Sequence, residues 1–468
     1  VNRDEYRTIC DTLYQRGYRF YQIKDTKGVI IKQVNQFGVH EWGVELQMNE
    51  EIYMMDDTAS LRDLREIKSR FAADGNNRLT HEDFVPDANI IHFRNGIYAI
   101  REREFYHHDA CDDPAATSEL VNVMMDYNLN TFTVIPHDYN PDAEPLLEFT
   151  FFLDTVFPDA DTRERWWQFM GLCLSKEVFR AKKAMLFLGP AHSGKTTLAH
   201  VMRAAVGEEN FVEKKLHDLL ETRWGKAGLV GKLVAYDDDL GESTITRIEE
   251  FKKLTGHNWM EVEEKGVQPY KTPHTCKLLC LGNVRPRIKK MDDATGSRWT
   301  ECEFQHRFLP ENEYERLTDD ERHDASPRDP WFEDRMIVQD NIEGIIAVAI
   351  EKLGDLVDAD FSFTGLTGEE MVHRWRVETE TIYAFLNEEC TRDNTLSQSS
   401  DKGDVYDAYT SFCDGWGYEA ETIHKFTTEL KRYGHSVHNT RRNGSQISAY
   451  KGVALKNDEI IDIEELEL

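Results

Sequence analysis

Gly189-Pro190-Ala191-His192-Ser193-Gly194-Lys195-Thr196-Thr197 spaces two glycines, a lysine and a hydroxyl so that one turn can wrap a phosphate chain. The spacing is G-x-x-x-x-G-K-[ST]. Glycines let backbone N–H groups curl around phosphates, and a helix start behind them adds partial positive charge. In such a loop Lys195 reaches the β- and γ-phosphates and the Thr196 hydroxyl sits on Mg²⁺, so the ligand expected is a nucleoside triphosphate. The flanks agree with this chemistry. Ala184–Leu188 is a short apolar run that reads as a buried strand, and Thr196–Val206 reads as a helix with Leu198, Val201, Met202 and Ala205 on one face.

A phosphate loop needs acids on a neighbouring strand to hold the metal and aim a water. Gly231–Tyr236 followed by Asp237-Asp238-Asp239 supplies them; Asp238 is assigned to the Mg²⁺ shell and Asp239 to the water, to within one residue of register. In a chain this acidic the triplet also reads as solvated surface. A third apolar run, Cys276–Gly282, ends at Asn283, whose side chain at a strand tip can bond the γ-phosphate or the attacking water. In isolation Asn283 reads as a turn residue. Arg298 precedes the expected strand Thr300–Phe304 and is either an arginine finger across a subunit interface or a surface salt bridge. Trp259–Val267 alternates and then turns at Lys265-Gly266, which reads as a β-hairpin with Lys265 near its tip. Facing a ring pore that lysine would grip phosphates; otherwise it is an exposed lysine.

The chain that must position these groups has 468 residues, enough for two to four domains. No apolar run approaches the ~18 residues of a membrane span, and the start shows no signal-peptide core. A cytoplasmic protein with no membrane partner is expected. The 8 cysteines share no repeating spacing, which suits a reducing interior. Cys276 and Cys280 fall on one face of an apolar strand and read as core. His107, His108 and Cys111 lie close together, but no second ligand pair answers them, so no metal site is expected there. The net charge of −30 ordinarily argues against nucleic acid. Acids spread over every segment point instead to a surface adapted to high salt, so local basic clusters are read on their own terms.

Along the chain, residues 1 to about 75 are mixed, with a helix at Arg3–Gln15, strands at Tyr18–Ile23 and Val29–Val34, and a helix at Leu61–Phe71. Ile90–Ile100 reads as a hairpin turning at Asn95-Gly96, Asp138–Glu144 as a loop, and Phe149–Phe179 as helical. The nucleotide core spans Lys183–Phe308, a polar helical zone follows to Arg376 with Ile342–Leu353 buried, and Asn394–Asp404 is a loop. Beyond it, a helix begins at Val405, and another, Ile423–Tyr433, bears Lys425, Lys431 and Arg432. The hairpin His435–Leu455 turns at Asn443-Gly444 beside Arg441 and Arg442.

The order of these motifs resembles the superfamily 3 helicases of the AAA+ class, specifically the phage and plasmid primase–helicase family with the poxvirus-like helicase module. The G-P-x-x-S-G-K-T-T loop, the acids about forty residues later, the hairpin lysine and the strand ending in Asn283 carry the resemblance. Ile90–Gly96 and the Trp166–Leu174 helix look like that family's preceding domain. The resemblance implies an α/β fold: an AAA+ P-loop core with a mixed N-terminal domain and a C-terminal winged-helix domain. Its divisions are an accessory domain over 1–150, a helical lead-in over 151–182, the core over 183–320, a helical lid or linker over 321–380 and the winged helix over 381–468.

It further implies that Lys195, Thr196, Asp238, Asp239, Asn283 and Arg298 carry ATP hydrolysis, with Thr196 and Asp238 on the metal. Lys265 would contact single-stranded DNA, joined by Lys425, Lys431, Arg432, Arg441 and Arg442 of the winged helix, which serves DNA or protein contacts. The assembly implied is a homo-hexameric ring moving 3′ to 5′ in the replication of a plasmid or virus, with a primase or origin-binding protein as a further partner. Two features depart from the family. Asp239 stands where a Glu is usual, and no primase catalytic domain is evident at the N-terminus. A non-helicase nucleic-acid motor and a nucleotide-switched DNA-binding regulator are the competing readings.

Overall fold

A computed structural model describes residues 3–22, 29–33, 40–42, 44–84, 87–107, 131–241, 244–265, 269–289, 291–365, 367–392, 399–442 and 445–456. They divide into two compact units: Val1–Val284 with Arg298–Gly365, and Arg285–Ser297 with Leu366–Leu468.

The first unit begins with the helix Arg3–Gln15 and a four-stranded sheet in the order His40–Trp42, Val29–Gln33, Tyr18–Gln22, Arg78–Thr80. Helices Glu45–Met55 and Leu61–Ala73 close this small core with Met48, Ile52, Leu64, Ile67 and Phe71. Leu61–Ala73 starts where it does because Ser60 accepts from the Asp63 N–H and Asp63 returns the bond, a reciprocal cap. Ile90–Phe93 and Gly96–Ala99 pair antiparallel as expected, and Glu104–His107 adds a third strand.

The stretch Phe149–Phe179, expected to be helical, holds two helices, Leu147–Val156 and Ala160–Leu174, and residues 175–179 follow outside them. Pro158 has no N–H to continue the first, and Asp159 caps the second by accepting from Thr162 N at 2.9 Å. The second helix packs against Gln339–Asp358, and Gly171 permits the approach: a Cβ there would lie 2.2 Å from the Ala349 carbonyl oxygen. Buried Arg165 then ties this helix to the sheet, donating to the carbonyls of Glu301 at 2.6 Å and Thr364 at 2.8 Å.

The centre of the unit is a five-stranded, all-parallel sheet. Its spatial order is Trp299–Glu303, Ala184–Leu188, Lys277–Gly282, Val234–Asp237, Phe211–Glu213. Ala184–Leu188, Val234–Asp237 and Lys277–Gly282 are buried at every position, which explains their unbroken apolar runs: helices or loops cover both faces. In the connection from Val234–Asp237 to Lys277–Gly282, a two-stranded hairpin, Trp259–Val262 with Tyr270–Pro273, leaves the sheet. Arg307–Leu309 and Ala325–Pro327 form a further short parallel pair, the latter inside the zone expected to be helical. Among the described residues no helix is long and apolar enough to cross a membrane.

The second unit has its own core of Phe385, Tyr409, Phe412, Phe426, Leu430 and Tyr450. Helices Lys402–Trp416 and Ile423–Arg432 precede the antiparallel strands Ser436–Arg442 and Ser445–Lys451, and Ser399–Asp401 joins the far side of the latter. The helix therefore begins within the expected Asn394–Asp404 loop: Asp401 caps it at Gly403 N, 2.7 Å away. Segment Arg285–Ser297 belongs to this unit, where Trp375 Nε1 donates to the Pro286 carbonyl at 2.8 Å.

Candidate nucleotide site

The sequence places a glycine-rich turn at the tip of a fully buried strand, and the fold shows why glycine is required there. Gly194 has φ +91° as it caps the helix Lys195–Val206. At Gly189 a Cβ would come within 2.3 Å of the Phe304 carbonyl oxygen. Leading into the helix, the loop places Lys195 9% exposed, and its Nζ donates to the carbonyls of Gly189 at 2.6 Å and Pro190 at 2.7 Å. Burial lowers the pKa of this lysine from its ordinary value. The tip of the neighbouring strand Lys277–Gly282 completes its surroundings: Asn283 Oδ1 accepts from Lys195 Nζ at 3.2 Å.

Lys195 and Asn283 line one cleft of about 740 Å³ with Ala191, His192, Ser193, Gly194, Thr196, Thr197, Asp238 and Asp239. Groups far apart in sequence become neighbours there because the parallel sheet brings the tips of adjacent strands to one edge. Burial divides the acidic triplet. Asp237 ends its strand buried and accepts from Leu216 N at 2.7 Å and Asp239 N at 3.3 Å, a structural role. Asp238 and Asp239 are exposed to the cleft, and Lys215 Nζ lies 2.5 Å from Asp238. That hydrogen bond raises the Lys215 pKa. The Thr196 hydroxyl with the carboxylates of Asp238 and Asp239 forms an oxygen donor set, the kind that suits Mg²⁺.

Arg298 does not join this cleft. Its carbonyl accepts from Ala184 N at 2.7 Å, where the P-loop strand begins, so it stands at the opposite edge of the sheet from Lys195. There it is half-buried, Nη1 donating to Thr255 Oγ1 at 3.2 Å. Lys265 is exposed at the end of its hairpin arm; Gly266 and Val267 lie outside the described residues. In the second unit Lys425, Lys431 and Arg432 are exposed on one helix and Arg441 on the following strand. Lys425 pairs with Glu421 at 2.5 Å and Arg432 with Glu429 at 3.2 Å, while Lys431 and Arg441 form no ion pair among the described residues. The Arg442 side chain, the turn Asn443-Gly444, and His108 and Cys111 lie outside the described residues, among which no three His, Cys, Asp or Glu side chains gather to hold a metal.

The fold adds residues that motif reading misses. Phe152, Phe308 and Phe332 line the cleft beside the loop, with ring centroids 5.8 Å apart for Phe152–Phe308 and 4.9 Å for Phe152–Phe332. Phe308 and Phe332, half-buried, offer an apolar surface against which a nucleobase can stack, with Phe152, 5% exposed, packed beneath them. Arg328, exposed at the rim of the same cleft, supplies a cation besides Lys195. Three aromatics from three distant segments leave no local pattern by which to find them.

A family of unknown function, DUF5906, matches residues 187–298, a span that runs from within the strand Ala184–Leu188 to Arg298. No curated protein matches the chain. Among solved structures, the chain is similar to the A form apo structure of the NrS-1 C-terminal region, at 10% identity and a TM-score of 0.50, covering 94% of this chain and 97% of that one. A second apo structure of that region aligns at 11% identity and a TM-score of 0.49, covering 97% of this chain and 100% of the other. The first likeness concerns the fold: the mixed α/β architecture extends over nearly the whole chain.

Proposed function

We propose that this chain is an ATP-driven DNA helicase or translocase serving replication of a plasmid or virus, built on an AAA+ P-loop core with a C-terminal winged helix. The observation that carries the reading is the convergence of Lys195, Asn283, Asp238 and Asp239 on one cleft, with Lys195 Nζ 3.2 Å from Asn283 Oδ1. A lysine, a polar strand tip and a carboxylate pair are the groups that in-line hydrolysis of a γ-phosphate uses.

In this mechanism Lys195 and the loop N–H groups hold the β- and γ-phosphates, and the phenylalanine platform holds the base. Thr196 and Asp238 hold Mg²⁺, which when bound neutralises charge on the phosphate oxygens. Asp239 orients the attacking water and Asn283 fixes the γ-phosphate oxygens. Arg298, at the far edge of the sheet, serves a neighbouring subunit's phosphate rather than its own, which couples turnover to assembly of a ring. The hairpin lysine Lys265 and the bases of the second unit contact single-stranded DNA.

ATP hydrolysis measured in multimolar KCl, with and without single-stranded DNA, tests the reading, with Lys195→Ala as control. DNA-stimulated turnover that the variant lacks is expected, followed by strand displacement from a forked duplex. Tight ATP binding with no turnover under either condition would refute the motor and leave a nucleotide-controlled DNA-binding protein.

A further inference from the structure

In a parallel sheet the residues that lead into each strand crowd the edge opposite the P-loop, and here they enclose a second cavity. A cleft of about 400 Å³ is lined by Asp87, Arg101, Lys176, Phe179, Trp259 and His274, together with the pair Glu177 and Arg180. Three of its features point to a ligand.

The first is Lys176. It is only 7% exposed, and its ammonium makes no hydrogen bond or ion pair with the described residues. The ammonium opens to the water of the cleft beside Asp87, so an anion entering the cleft meets an accessible cation. The second is a pair of aromatic faces: Phe179 and Trp259 line the cleft while each remains 47% exposed. The Lys182 ammonium lies 5.2 Å over the Phe179 ring, so the half-exposed Trp259 is the surface on which a base can stack, as bases do in single-stranded nucleic acid sites. The third is charge. Glu177 is neutralised by Arg180, 2.6 Å away, so Lys176 and Arg101 face Asp87 alone, leaving one net positive charge. One positive charge matches the single negative charge of a phosphodiester better than the two of a terminal phosphate.

We propose that this cleft binds one nucleotide of a single DNA strand, its phosphate against Lys176 and Arg101 and its base on Trp259. Trp259 pairs with Pro273 at the root of the hairpin whose far end carries Lys265, so a strand held by the hairpin passes this cleft. The identity of the strand rests on the proposed function; the phosphate-and-base chemistry is read from the cleft itself.

The test uses the full chain and a fluorescein-labelled 20-mer of thymidine, titrated by anisotropy at several KCl concentrations, with thermal unfolding as the check on folding. Trp259→Leu should weaken binding by roughly 5- to 100-fold, as for loss of one stacked base. Lys176→Gln should weaken it and reduce the slope of log affinity against log salt by about one. A 5-iododeoxyuridine oligonucleotide should photocrosslink to the peptide holding Trp259, a readout that needs no variant. Affinities within twofold of the parent for both variants, crosslinks confined to other peptides, or an unmodified chain that binds no oligonucleotide would each overturn the proposal. Competition by thymidine monophosphate as strong per nucleotide as by the oligonucleotide would assign the cleft to a free nucleotide and overturn the strand. The Lys195→Ala hydrolysis assay is independent: absent turnover with Trp259-dependent strand binding refutes the motor and leaves this site standing.

Discussion

Arg298 offers the sharpest test of how the chain works, because its position separates two mechanisms by distance. It sits just before Trp299–Glu303, which runs parallel to Ala184–Leu188 in a register that sets Trp299 beside Ala184 and Glu303 beside Leu188. Five residues at about 3.3 Å each put the two edges of the sheet roughly 16 Å apart, beyond the reach of one side chain. If Arg298 acts in hydrolysis, it acts on another subunit, and Arg298→Ala should lose about 10³-fold or more in turnover. Mixing then gives a number. Arg298→Ala keeps an intact cleft, and Lys195→Ala keeps an intact arginine. In a randomly mixed 1:1 ring half the clefts are intact and half of their neighbours carry the arginine, so about a quarter of the sites regain activity. The assay is steady-state phosphate release from each variant alone and from the pair after co-assembly, with oligomeric state followed by light scattering. A mixture no more active than its components, or normal turnover by Arg298→Ala in intact oligomers, would refute the reasoning.

The remaining predictions use the same division between cleft and support. Asp237→Ala removes the acceptor of the buried Leu216 N–H and should cost about 1–3 kcal/mol in unfolding experiments, whereas Asp238→Asn should leave the unfolding midpoint in place and abolish Mg²⁺-dependent turnover. Phe332→Ala should weaken ATP binding by roughly 5- to 100-fold, the loss of a stacked base, read by calorimetry; equal affinity would exclude the phenylalanine platform as the base site. Burial holds the His274 pKa down to about 4, with Nε2 donating to the Leu254 carbonyl at 2.7 Å. Because the folded value is depressed, the unfolded chain takes up the proton first. Stability is fully present above about pH 6.5 and falls as pH drops through 4, by about 3 kcal/mol from this residue. His274→Gln, which can keep the donor, should flatten that part of the stability profile; an unchanged profile would remove His274 as its cause.

How much of the molecule is legible in its residues depends on range. The glycine-rich turn, its flanking strand and helix, and the hairpin Trp259–Pro273 are local patterns, and they lie where the spacing indicates. The helical reading of Phe149–Phe179 passes over Pro158 and the Asp159 cap, which together end one helix and start another. The short strands Arg307–Leu309 and Ala325–Pro327 escape sequence reading for a different reason: parallel partners separated in sequence have no turn signature between them.

The amino-acid sequence by itself determined the chemistry available, since a phosphate loop, carboxylates after an apolar strand and a strand-tip Asn are set by residue type and spacing. Tertiary structure alone decided their division of labour. It buried Asp237 as a support while exposing Asp238 and Asp239, and it assembled Phe152, Phe308 and Phe332 from three distant segments. It also set Arg298 and the Lys176 cleft on the edge away from Lys195. The physical reason is common to all of these: burial and proximity are properties of strand order and packing, and neither is written in the spacing of residues along the chain.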